Sequence, residues 1–183
     1  MDKGKFKPAL NFMNFSSTIH DVLQIGNGAS DLMHFIRKYP EVLKHYRHRP
    51  LPNPVIVLID NDDGAKGIFK IAKNLGAHSI SLTSSDPFYR LAANLYLIKT
   101  PEIGPKGTTS IEDLFDPALL KTALDGKVFD PKKGHGESGK YGKARFAEKV
   151  VQPQKDSIDF SKFAGLLDRI VAALADYADN PPS

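Results

Sequence analysis

Apolar and polar residues follow one another along this chain in blocks that switch between a strand-like and a helix-like period. Val22-Leu23-Gln24-Ile25 is a short, mostly apolar run closed by Gly26-Asn27-Gly28, a turn signal. Beyond it Leu32, Phe35, Ile36 and Tyr39 share one face of an expected helix, which Pro40 should stop. Residues 47–54 include three prolines and read as a loop. Val55-Ile56-Val57-Leu58-Ile59 is the clearest element. Its five apolar, mostly β-branched residues between Pro and Asp predict a strand buried on both faces. A helix is expected over residues 65–75, with Ile68, Ile71, Ala72 and Leu75 facing the core and Lys66, Lys70 and Lys73 facing water. Gly76 stands where a glycine commonly ends a helix.

A further strand is expected within residues 93–99. After Pro101 the pattern loosens into a short helical piece over 113–124, a Gly- and Lys-rich loop over 125–142 and a short helix over 143–151. The last helix is the most amphipathic. Phe160, Phe163, Leu167, Ile170, Val171 and Leu174 define its expected core face, and Asn180-Pro181-Pro182 ends it. Alternating strands and helices with short links predict an α/β fold, a mainly parallel sheet flanked by helices. The expected organisation is a basic N-terminal segment (1–13), the α/β domain (14–151), and a C-terminal helix with an acidic tail (152–183).

Charge adds to this picture. The 183 residues carry 25 Lys and Arg against 21 Asp and Glu, a net +4, but unevenly. Residues 127–149 alone sum to +4, and residues 37–49 hold five cations and one acid. The tail from Asp156 has five Asp against Lys162 and Arg169. Dense local positive charge attracts polyanions, nucleic acid among them. The chain has no Cys, which excludes disulfides, thiolate metal sites and a Cys nucleophile. No apolar run approaches the roughly 20 residues of a membrane span, and the polar start does not resemble a signal peptide. The expected location is the cytoplasm, with no membrane partner.

The candidate chemistry lies in Asp60-Asn61-Asp62-Asp63-Gly64, directly after the apolar strand. Ligands of open α/β sheets bind beyond the carboxyl ends of strands, and crowded carboxylates repel one another until a hard cation such as Mg²⁺ joins them. The plainer role for Asp62 or Asp63 is to cap the following helix. An EF-hand fails on spacing, because its glycine belongs at the sixth position and Gly64 is fifth. A haloacid-dehalogenase-type phosphatase would use Asp60 as nucleophile and Asp62 as acid, but it prefers Thr or Val where Gly64 stands. Ser110 and Asp113 have capping-box spacing, so Glu112 and Asp113 are either metal ligands or helix-end charges. The histidines form no compact metal-binding set.

The strand-plus-DxD run Val55 to Gly64 resembles the Toprim fold of topoisomerases, primases and overcoming-lysogenization-defect nucleases. Three other segments extend the resemblance: Ile25-Gly26-Asn27-Gly28-Ala29-Ser30, Ser110-Ile111-Glu112-Asp113-Leu114-Phe115, and the lysine-bearing 142–150. Residues 14–151 look most like the C-terminal Toprim region of retron reverse-transcriptase fusions. The resemblance implies Mg²⁺, or Mn²⁺ in its place, held by Asp60 and Asp62, with Asp63, Glu112 or Asp113 as further oxygen ligands. It also implies Lys143 as a catalytic cation, and Lys132, Lys133, Lys140, Lys143 and Arg145 as nucleic-acid contacts. The implied function is phosphodiester hydrolysis on DNA or RNA in antiviral defence, with an upstream reverse-transcriptase portion and its RNA–DNA product as partners. Toprim domains carry a Glu at the end of their first strand. Residues 1–21 contain Asp2 and Asp21 but no Glu. The expectation is therefore a domain lacking its first βα unit, whose alternative role is non-catalytic binding of nucleic acid or a partner.

Overall fold

The computed structural model describes residues 10–13, 29–47, 51–103, 107–132 and 139–182. The expected strand over 22–25, its glycine turn, His48, Lys133 and His135 lie outside the described residues.

The fold is mixed α/β, with small sheets that include parallel pairs and helices packed around them. Strands β1 (Val55–Ile59) and β3 (Leu95–Lys99) pair in parallel, from Val55 opposite Leu95 to Ile59 opposite Lys99. The short β2 (Tyr89–Arg90) runs antiparallel to β3 on its other side, giving the order β1-β3-β2. The middle strand, β3, is the one buried at every residue. β1 lies at the edge of the described sheet, with Val55, Ile56 and Leu58 only partly covered, so full burial on both faces is corrected.

The period-two alternation sorts side chains onto two cores. Val57, Ile59, Leu95 and Leu97 pack against helices α1 (Ala29–Leu43) and α2 (Lys66–Asn74). Ile56, Leu58, Tyr96 and Ile98 pack on the opposite face against α5 (Ala164–Asp179). α1 runs three residues past Pro40. The proline removes one rung of the hydrogen-bond ladder, yet the last turn persists with Leu43 buried. α2 matches its expected span, and Gly76 after it has φ 104°, a conformation a glycine adopts without strain.

α5 departs from expectation. Its buried residues are Leu166, Arg169, Ala173 and Tyr177, whereas Leu167 and Val171 face solvent. The helix carries two overlapping apolar stripes, and the one that also contains an arginine is turned inward. Arg169 donates to the carbonyls of Lys99 (2.9 Å) and Thr100 (3.4 Å), and Tyr177 Oη to that of Leu51. Polar groups on this stripe find partners that the other stripe would not have offered.

A third cluster is built from the segment expected to be a loop. Asp125 and Gly126, with φ 52° and 72°, make a tight turn closed by reciprocal Leu124–Lys127 backbone bonds of 2.9 Å. It leads to β4 (Val128–Phe129), paired in parallel with β5 (Lys140–Tyr141), so 125–142 is not simply a loop. Between β3 and this unit, residues 113–124 form two pieces rather than one helix, a 3₁₀ turn (Ile111–Leu114) and the short α3 (Pro117–Leu120). Helix α4 (Lys143–Phe146) continues through a π turn (Ala147–Val151) and a last turn (Gln152–Gln154). Phe146 stacks on Phe129 at 4.5 Å and meets Phe115 edge-on at 5.5 Å, and Phe115 in turn meets Phe163 at 4.9 Å. These rings anchor α4 against the sheet layer and so set where its first residue, Lys143, points. Among the described residues no helix is long and apolar enough to cross a membrane.

Candidate functional site

Asp60 is the first residue beyond β1, and alternation sends its side chain to the α5 side of the sheet. Its Oδ1 accepts a 2.8 Å hydrogen bond from the Ile111 amide, which fixes the carboxylate at the start of the Ile111–Leu114 turn. That turn presents Glu112, whose side chain is 7% exposed. Lys143, 83 residues from Asp60 in sequence, completes the group. Its Nζ lies 3.3 Å from Asp60 Oδ2 and 2.8 Å from Glu112 Oε2. The Glu112 contact is an ion pair by distance, without the angles of a hydrogen bond, so this buried oxygen has no well-aligned donor. Burial alone would lower the Lys143 pKa, but the Glu112 and Asp60 carboxylates outweigh it and hold the ammonium above its ordinary range.

Asp62 serves the local chain. It is extended (φ −136°, ψ −177°), and its Oδ1 accepts from Gly64 N at 2.8 Å, capping the 3₁₀ turn Asp63–Ala65 that opens α2. A Cβ at position 64 would stand 3.0 Å from that oxygen, so a larger residue there would have to shift the cap by a few tenths of an ångström. Asp60 and Asp62 still line one open cleft of about 330 Å³ with Leu32, Leu58 and Ala65. Asp63 turns away to an exposed pair with Lys66 at 2.8 Å. Asp113 Oδ2 accepts from Ser110 N (2.7 Å) and Oγ (2.9 Å), the expected capping box. The structure thus joins Asp60, Glu112 and Lys143, leaves Asp62 beside them, and commits Asp63 and Asp113 elsewhere. Among the described residues, no three Asp, Glu or His side chains gather as a metal cage.

The expected nucleic-acid contacts of the 127–149 stretch are mostly held by acids of their own. Lys140 pairs with Asp130 at 2.7 Å, Arg145 with Asp125 at 2.8 Å and Lys149 with Glu148 at 2.7 Å. Lys132 is exposed.

Sequence reasoning missed the residue between the two aspartates. Asn61 is fully buried. Its amide donates to the carbonyls of Leu82 (2.8 Å) and Gly107 (2.6 Å), and its backbone exchanges two 2.8 Å bonds with Thr109. Its N–H also lies 2.9 Å from Thr100 Oγ1, whose hydroxyl donates to the Thr109 carbonyl at 2.6 Å. Asn61 therefore ties the strand end to the segment that delivers Ile111 and Glu112. Behind it lies a second charged group that was also missed. Lys99 Nζ contacts Asn61 Oδ1 (3.4 Å), the Leu82 carbonyl (3.2 Å) and Glu102 Oε1 (2.5 Å), while Arg169 reaches Glu102 Oε2 at 2.7 Å. The one available signal was a lysine ending the apolar run Leu95-Tyr96-Leu97-Ile98.

In donor chemistry the site fits a hard divalent cation. Asp60 and Glu112 face one point, now marked by an ammonium, and Mg²⁺ is commonly held by one or two carboxylates together with substrate phosphate oxygens. No protein-family model matches the chain, and no solved structure matches it significantly.

Proposed function

We propose that this chain is a Toprim-like module for Mg²⁺-dependent hydrolysis of phosphodiesters in DNA or RNA, of the type fused to retron reverse transcriptases. The supporting observation is the convergence of Asp60, Glu112 and Lys143 beyond the carboxyl end of β1. Asp60 and Glu112 would hold the cation, with Asp62 at the rim of the cleft. When bound, the metal polarises a phosphate oxygen and lowers the pKa of an attacking water. The chain itself keeps Asp60 oriented through the Ile111 amide, keeps Glu112 out of bulk water, and retains Lys143 as a cation. Displaced from the carboxylates, that ammonium is placed to neutralise charge developing on the phosphate.

A second reading, a non-catalytic module that binds nucleic acid or a partner, draws on a specific observation. Lys143 already pairs with both carboxylates, and Asp113 and one oxygen of Asp62 are committed to caps. The test incubates the 183-residue chain and its Asp60→Asn variant with labelled DNA and RNA, with and without Mg²⁺ or Mn²⁺. Metal-dependent cleavage that disappears in Asp60→Asn supports the nuclease. Binding without cleavage under either ion assigns the non-catalytic role. A phosphate trapped covalently on Asp60 would identify haloacid-dehalogenase-type chemistry instead.

A further inference from the structure

Helix α2 buries Ile68, Phe69, Ile71 and Ala72, and so turns Lys66, Lys70 and Lys73 to solvent. Their i, i+4, i+7 spacing lines up three ammonium groups on one stripe, about 10 Å from first to last. The stripe forms one wall of an open cleft of about 420 Å³, whose remaining lining includes Asn74, Ile80 and Ser81. Lys70 and Lys73 have no carboxylate partner among the described residues. Lys66 has only the exposed Asp63, and a surface pair of this kind contributes at most about 1 kcal/mol and exchanges readily. Like charges three and four apart on a helix repel, so this arrangement costs the free protein stability that a bound polyanion would return.

In the 127–149 stretch Lys140, Lys143, Arg145 and Lys149 each lie on an acid of this chain, the Arg145 and Lys149 pairs being exposed like that of Lys66. Exposed cations also stand at Arg37, Lys44, Arg47 and Lys132, but on α2 three ammonium groups share one stripe and one cleft. Ala65, the N-cap of α2, and Ile68 in its first turn also line the smaller cleft that holds Asp60 and Asp62, so both clefts flank one helix.

We infer that the cleft walled by Lys66, Lys70 and Lys73 is the docking surface for the phosphodiester backbone of a nucleic-acid strand. The inference rests on the nucleic-acid part of the proposed function but not on cleavage. The test is fluorescence anisotropy of labelled single-stranded DNA and RNA oligonucleotides with the full chain, titrated over salt. Each phosphate contact contributes about 0.7 to the salt slope on a single strand, so Lys70→Gln with Lys73→Gln should lower the slope by about 1.4. Affinity at about 0.15 M salt should weaken roughly tenfold, with recovery in the double Lys→Arg variant. Lys132→Gln with Lys140→Gln should change little. Binding is read without divalent ions, so cleavage plays no part in the signal, which separates failure of this surface from failure of the nuclease reading. The inference is overturned if the α2 variant binds like the parent, or if the Lys132/Lys140 variant takes the loss. It is equally overturned if the parent binds phosphatidylserine vesicles or an acidic peptide but neither oligonucleotide.

Discussion

Lys143 and Lys99 each meet a carboxylate near the carboxyl ends of the parallel strands, yet their environments push them in opposite directions. Lys143 is 44% exposed and sits between Asp60 and Glu112, and its pKa is raised. Lys99 has no exposed side-chain surface. Burial drives its pKa down, and the Glu102 contact only partly opposes this. The two groups have similar pair distances, so the difference arises from water. Where solvent reaches, carboxylates hold a lysine as a cation that can leave for another anion. Where solvent is excluded, the charge survives only inside a closed network, here with Glu102, Arg169 and Asn61. The first arrangement suits a site, and the second a support for one.

The largest expected effect comes from opening the buried network. Glu102→Gln strands Lys99 and Arg169 without their anion and should destabilise the fold by about 3 kcal/mol in denaturant unfolding. The pH dependence has a definite sign. Burial by itself would raise the Glu102 pKa, but the Lys99 ion pair and the Arg169 hydrogen bond hold it below its ordinary 4.5. Its contribution is therefore complete above that value and lost as pH falls through the lowered one. Acid unfolding of Glu102→Gln should be correspondingly flatter.

Next comes Asn61→Ala, which leaves the Gly107 carbonyl without its donor and the Leu82 carbonyl with only Lys99. A loss of about 2 kcal/mol is expected by thermal or chemical unfolding. A smaller loss follows from Asp62→Ala, which deletes the cap on Gly64 N and should cost about 1 kcal/mol. An effect as large as that of Asn61→Ala would place Asp62 among the supports instead.

Lys143→Met should cost less at neutral pH than Glu102→Gln, because solvent screens the Lys143–Asp60 pair and the remaining loss comes from the buried Glu112 carboxylate left without its cation. A lysine held above its ordinary 10.5 stabilises fully below that pH and loses the contribution as pH climbs through the raised value. The parent should thus lose more stability than Lys143→Met in strongly alkaline solution. A large neutral-pH loss in Lys143→Met would erase the contrast with Lys99.

Much of the fold was legible because it depends on neighbours within a few residues. The run Val55 to Ile59 became a strand, α2 ended before Gly76, and Ser110 with Asp113 formed its capping box. Asp60 could be singled out because it ends an apolar strand. Its partners could not be identified as such, since Ile111 is 51 residues away and Lys143 83. Asn61 reads as a turn residue in sequence, and only burial reveals it as the tie between β1 and the Thr109 segment.

The sequence by itself determined where the chain extends, coils and turns, because periodicity, caps and turn residues act locally. Only the tertiary structure decided which stripe of α5 faces inward, which carboxylates converge on Lys143, and which lysines remain open to an outside anion. Those outcomes depend on desolvation and on partners distant in the chain. A charge that looks free in the sequence is neutralised or exposed only by the surface packed against it.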